Sequence, residues 1–122
     1  MVAYVGTNKE VVFPEFIEGK EYQIADGAFS HNKFTDVVIP ESVKTMGFRA
    51  FEGSSVIKVS IAGITALDDY SFDNCASLKE IVFSDALETV KHSVFRNCIS
   101  LEGVNLPKSL KSIATYAFLD CR

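Results

Sequence analysis

The stretch Ile81–Gly103, IVFSDALETVKHSVFRNCISLEG, decides the fold, because its neighbours on both sides are near copies of it. VSIAGITALDDYSFDNCASLKE precedes it from Val59, and VNLPKSLKSIATYAFLDCR follows it from Val104. Extended outward, the pattern orders the whole chain. Phe29, Phe51, Phe72, Phe95 and Phe118 are separated by 22, 21, 23 and 23 residues, and Ile39, Ile61, Phe83 and Leu106 by 22, 22 and 23. Val37, Val59, Ile81 and Val104 run in step, as do Val43, Ile64, Leu87 and Leu110. Independent apolar series sharing one period mark a solenoid, in which each unit buries its apolar face against its neighbours.

Within a unit, residues such as Ile81 and Phe83 share one face at period two, the signature of a short strand with its apolar side inward. Pro40 and Pro107 follow that strand and end it, because proline cannot continue a ladder. A second short strand is predicted over Leu87–Val90 and its equivalents. The stretch before each repeated Phe, such as Ser93-Val94-Phe95, is predicted to be a tight helical turn whose ring plugs the coil. Stacked in parallel, equivalent positions stand roughly 4.8 Å apart. That register sets Lys58 beside Glu80, Lys79 beside Glu102, Asp85 beside Lys108 and Glu88 beside Lys111. It also sets Asp68 beside Lys91, Asp69 beside His92 and Asp73 beside Arg96. A wrong register would scatter the signs. The expected fold is therefore a β-rich solenoid of about five coils of 21–23 residues, joined in parallel, forming a single domain over 1–122.

The strand motif, the proline and the A-F-x-x-C segment, as in LEGVNLPKSLKSIATYAFLDC at 101–121, resemble the BspA-like leucine-rich repeat proteins. The opening residues Tyr4, Gly6, Val11, Phe13, Pro14, Ile17, Gly19 and Lys20 are similar to the usual entry segment of that family. Ser84 and Ala62 depart from the pattern where proline is usual, Val94 where a small residue is usual, and the first two coils have no cysteine. The resemblance implies a leucine-rich repeat solenoid of the kind found in bacterial and protist surface proteins, several of which act in adhesion. It therefore suggests a cell-surface or secreted setting.

Residues 2–5 and 10–13 flank Gly6-Thr7-Asn8-Lys9 and read as a hairpin capping the first coil. Residues 1–28 form this cap and an irregular first coil, with a turn at Glu18-Gly19-Lys20, and residues 29–122 form the regular repeats. The chain stops at Cys121-Arg122 within a unit, so the last coil is expected to be uncapped. Either further residues or self-association through this open end would cover it. MVAYVGTNKE has neither a basic leader segment nor a long apolar run, so no signal peptide is predicted.

A net charge of −4 and a pI near 5.1 argue against a grip on nucleic acid, which needs a basic face. No apolar run approaches the roughly 18 residues of a membrane span, so direct membrane insertion is not expected. Cys75, Cys98 and Cys121, spaced by 23 and 23, should stack as a column of small buried thiols. One disulfide along the column satisfies the distance requirement, although parallel side chains make its torsion unfavourable, and Cys121 is the thiol most open to intermolecular bridging. No C-x-x-C pair points to a metal. Asn74, Asn97 and Asp120 are expected to be turn residues bonding the local backbone. His31 and His92 lie in different coils with no nucleophile beside them, and Asp68-Asp69 reads as part of a charge ladder. Nothing here composes a catalytic site or a cofactor loop.

Function then falls to the strand face, a broad rigid surface in leucine-rich solenoids. Its outward row is expected to be Val38, Ser60, Val82 and Asn105, flanked by Asp36, Lys58, Glu80 and Gly103. A protein or extended peptide is the expected partner. A structural spacer, or an accessory domain of a larger surface protein, is the alternative.

Overall fold

The structure, a computed structural model, describes residues 10–12, 22–104 and 106–121. Two five-stranded parallel sheets line the two sides of a β-solenoid. The first contains β1 (Glu10–Val12), β3 (Asp36–Ile39), β5 (Lys58–Ile61), β7 (Glu80–Phe83) and β9 (Gly103–Val104), in that order. The second runs from β2 (Tyr22–Ile24) through β4 (Val43–Met46), β6 (Ala66–Leu67) and β8 (Thr89–Val90) to β10 (Ser112–Ile113). Strand alternates with strand along the chain, one from each sheet, so every pairing joins residues one full winding apart. From β1 to β9 the chain completes four windings, one fewer than the five coils counted from the phenylalanine series. The fifth of those residues, Phe118, lies in the turn segment that follows β10.

The registers are those the period demands. Val37 pairs with Val59, Val59 with Ile81 and Ile81 with Val104, while Ile39 pairs with Ile61 and Ile61 with Phe83. Alternation then buries Val37, Ile39, Val59, Ile61 and Ile81 and turns Val38 and Val82 outward. Of the expected N-terminal hairpin, residues 2–9 and 13 lie outside the described residues, as does the turn at Glu18-Gly19-Lys20. The described part, β1, pairs in parallel with β3 and so extends the first sheet.

The core is a stack of rings. Successive centroids of Phe29, Phe51, Phe72, Phe95 and Phe118 are 5.3, 5.2, 5.7 and 5.2 Å apart, with interplanar angles of 21° or less. Backbone hydrogen bonds hold this spacing. The amide of each Phe donates to the carbonyl just before the next Phe: Phe29 to Ala50, Phe51 to Ser71, Phe72 to Val94 and Phe95 to Ala117.

The segments around these rings are not the tight helical turns expected, and no helix occurs among the described residues. Each is a ribbon of overlapping four-residue turns, such as Asp68–Ser71, Tyr70–Asp73 and Phe72–Cys75, closed by backbone bonds from the fourth residue to the first. Left-handed backbone is the physical reason. The residues two before and two after every stacked Phe have φ between 54° and 66°, as at Tyr70 and Asn74 around Phe72. A right-handed helix cannot propagate through such residues, whereas a type II turn requires one at its third position. The ribbon also frees alternate amides to point along the solenoid. Tyr70, Phe72 and Asn74 donate to His92, Val94 and Arg96 of the next winding.

Four of the predicted charge pairs close: Lys58–Glu80 at 3.1 Å, Lys91–Asp68 at 3.6 Å, Lys111–Glu88 at 3.0 Å and Arg96–Asp73 at 2.8 Å. The first three are exposed and worth about 0–1 kcal/mol each. Asp69 also lies beside His92, and its carboxylate accepts from the His92 backbone amide.

The third coil is one residue short, and Gly63 makes the shortcut. A Cβ at this position would collide with the backbone carbonyl of Glu41 in the preceding winding. Gly63→Ala is therefore expected to lower unfolding free energy by about 1–3 kcal/mol, seen as a lower urea midpoint at constant slope. An unchanged midpoint would mean that the two windings separate there at no cost.

Candidate interaction surfaces

The strand face is assembled as expected for the residues the structure describes. Val38, Ser60 and Val82 are register partners on one outward row, and Asp36, Lys58, Glu80 and Gly103 form the row beside it. Asn105 lies outside the described residues. Val38 and Val82 are 44% and 46% exposed, with the smaller Ser60 between them. Lys58 and Glu80 neutralise one another, and they line a shallow groove of about 540 Å³ together with Ile57, Lys79 and Glu102. The face offers methyl groups, one hydroxyl and paired charges. Among the described residues it carries no aromatic or arginine anchor.

Those anchors stand elsewhere. On the turn ribbon, Phe48 and Tyr70 meet edge to face at 5.8 Å. The Arg49 guanidinium lies 5.0 Å from the Phe48 ring centre and 5.1 Å from that of Tyr70, and the Arg96 guanidinium lies 5.2 Å from Tyr70. Arg96 donates from Nε and Nη2 to both oxygens of Asp73 at 3.0 and 2.8 Å, and this contact holds the guanidinium further above its already high pKa. Arg49 Nη1 is 2.9 Å from Glu52 Oε2, as an ion pair without aligned hydrogen-bond geometry. Sequence reasoning missed this cluster because it followed apolar periods. Reading down the column two residues before each Phe (Gly27, Arg49, Tyr70, Ser93, Tyr116) picks out Arg49 and Tyr70 alone, since Phe48 and Arg96 stand at other positions of the unit.

Cys75, Cys98 and Cys121 do form a column, and its thiols are free. Each Sγ donates to the carbonyl of the Phe in the preceding winding: Cys75 to Phe51, Cys98 to Phe72 and Cys121 to Phe95, at 3.1, 3.2 and 2.9 Å. A small S–H donor thus fills the corner and supplies a cross-coil bond. Burial, reinforced by the neighbouring thiol, pushes Cys98 up to about 12 and Cys75 well above its ordinary value. The unfolded chain therefore releases these protons first as pH rises. For Cys98 the stability contributed is whole below the reference value of 9.0 and declines as pH climbs toward about 12, and Cys75 acts in the same direction. A loss of about 1.4 kcal/mol per pH unit from Cys98 is expected across that window, with a shallower decline in Cys98→Ala. Iodoacetamide at mildly alkaline pH should label half-buried Cys121 first and the other two only as fast as the protein unfolds. Simultaneous labelling of all three would show the column to be open.

Asn74, Asn97 and Asp120 are turn residues, but their side chains do not serve in the way expected. All three hold left-handed backbone, and Asn97 Nδ2 donates to Asn74 Oδ1 at 2.9 Å across windings. His31 and His92 are exposed on separate windings, and His31 Nε2 is 3.9 Å from Glu52. Among the described residues, no group of three or more His, Cys, Asp or Glu side chains is placed to hold a metal ion. No helix there is long and apolar enough to cross a membrane.

Parallel strands paired one winding apart around an aromatic core make a solenoid of the leucine-rich repeat kind. The chain belongs to the BspA-type leucine-rich repeat family, whose pattern matches residues 7–122 in six copies. The leucine-rich repeat protein of T. pallidum, TpLRR, is similar over 98% of this chain at 34% identity and a TM-score of 0.92. A leucine-rich repeat protein from Eubacterium ventriosum is similar over 80% of the chain at 25% identity and a TM-score of 0.67. One from Bacteroides ovatus, at 22% identity, 89% coverage of this chain and a TM-score of 0.56, shares the fold. The chain spans 57%, 33% and 39% of these three structures respectively. Comparison with curated proteins returns no match.

Proposed function

We propose that the chain is a non-enzymatic interaction module of a cell-surface or adhesin-type protein, holding a protein or extended peptide on its strand face. The observation that carries this reading is the in-register row Val38–Ser60–Val82 with its flanking row Asp36–Lys58–Glu80; Asn105 continues the first row in the sequence. A rigid row of alternating side chains suits an extended backbone laid along it. Purified extracellular-matrix and cell-surface proteins, immobilised singly, are the test. Saturable binding of the intact chain to one of them should be lost in Ser60→Trp, whose bulk fills the gap between the valines, with melting unchanged. Equal binding by Ser60→Trp would remove the strand face from consideration.

A second reading, a spacer or assembly module, is favoured by the exposure of Leu106, Ile113 and Leu119. Apolar side chains facing water in one winding suit packing against another copy. Light scattering of the intact chain and of Ile113→Asp distinguishes this: a dimer converted to monomer supports it, and an unchanged monomer removes it.

A further inference from the structure

Two residues before each stacked Phe the backbone is left-handed, and Gly27 fills this position in the first coil without steric penalty. Arg49, Tyr70 and Tyr116 fill it in later coils, with φ of 57°, 60° and 63°. Bulky side chains are strained in this region, and strain of this kind gathers where side chains have work to do. The position two after each Phe is filled differently, by His31, Gly53, Asn74, Asn97 and Asp120, mostly residues that tolerate the conformation. The strained column therefore holds side chains that local backbone preference does not select.

Of these, Arg49 and Tyr116 are exposed and Tyr70 is half-buried, and the charges around them are layered. The Glu52 and Asp73 carboxylates lie underneath, with side chains 15% and 2% exposed, while Arg49 and Arg96 lie above them at 47% and 34%. Rings and guanidinium edges are thus outermost: Phe48 is 39% exposed, and Tyr116 is 60% exposed beyond the small Ser93. Arg96 commits Nε and Nη2 to Asp73, and Arg49 commits Nη1 to Glu52, so part of each five-donor fork remains free.

We propose that this turn face, centred on Phe48, Arg49, Tyr70 and Arg96, docks a peptide segment of a protein partner that carries carboxylates beside aromatic side chains. Carboxylates complement the outward guanidinium edges, and rings cover Phe48 and Tyr70. Tyrosine and arginine are the residues that dominate binding energy at interfaces. The surface is also pre-organised, because amides of the same ribbon are bonded to the next winding and the arginines rest against rings, so little ordering remains to be done on binding. The surface is separate from the strand face and stands or falls independently of it.

The intact chain titrated by fluorescence anisotropy with a labelled synthetic peptide alternating Glu and Tyr tests the proposal. Counterparts with Lys for Glu, and with Ser for Tyr, serve as comparisons. The Glu–Tyr peptide should bind about tenfold more tightly than either, with affinity falling as salt rises. Phe48→Ala and Arg49→Ala should each weaken it about tenfold with the fold retained by circular dichroism. Arg49→Lys should not rescue, because an ammonium lacks the planar fork that stacks on both rings. Equal affinity for the Lys–Tyr peptide would overturn the proposal, as would binding lost in Ser60→Trp but kept in Phe48→Ala.

Discussion

Phe72→Ala should unfold in urea with a free energy about 3–5 kcal/mol below that of the unaltered chain. The ring is fully buried at the centre of the stack, 5.2 Å from Phe51 on one side and 5.7 Å from Phe95 on the other. Its removal loses the transfer free energy of a large apolar group and the two ring contacts. It also leaves a void that the windings above and below cannot close, because their spacing is fixed by backbone bonds through Phe51, Phe72 and Phe95. In a solenoid each winding leans only on its neighbours, so a break at the centre also uncouples the two ends. Urea unfolding followed by far-ultraviolet circular dichroism should broaden or split as a result. Phe118→Ala, at a ring that is half-buried and has one described ring neighbour, should cost clearly less. Equal losses at Phe72 and Phe118 would mean that the rings do not form one continuous stack.

Arg96→Met should cost about 2–4 kcal/mol, less than a fully enclosed ion pair because the guanidinium is a third exposed. The loss arises on the other side of the pair. Asp73 is 2% exposed, and both its oxygens accept from Arg96. Without that partner a buried carboxylate retains only the Asn74 amide at 3.5 Å. The double variant Asp73→Ser, Arg96→Met should recover most of the loss, since Ser30 already occupies the equivalent position in the first coil and donates to the carbonyl of Glu52. If the double variant is as unstable as the single one, the cost lies in packing of the arginine stem against Tyr70 and not in the orphaned charge.

The two surfaces divide along the same line as the energetics. Period two alone sets Val38, Ser60 and Val82 on the outside of the strand, and the register places them there. Phe48, Arg49 and Tyr70 carried no such signal. They belong to different windings, 21 or 22 residues apart between Phe48 or Arg49 and Tyr70, and no local pattern joins an arginine to a tyrosine in the next coil. Likewise, the 23-residue spacing predicts Cys75 and Cys98 as buried and stacked, while their donation to the carbonyls of Phe51 and Phe72 depends on where the turn aims each peptide group.

By itself the amino-acid sequence determined the period, the inward columns and the strand register. A winding can bury its apolar face only where the next one repeats it at the same interval, so that constraint is written along the chain. The tertiary structure alone decided the turn ribbon and what stands upon it. At Arg49 and Tyr70 the left-handed φ goes with backbone amides that donate to Asp69 and His92 of the next winding, against the preference of the residues themselves. A conformation imposed from a distance leaves no trace in the local sequence.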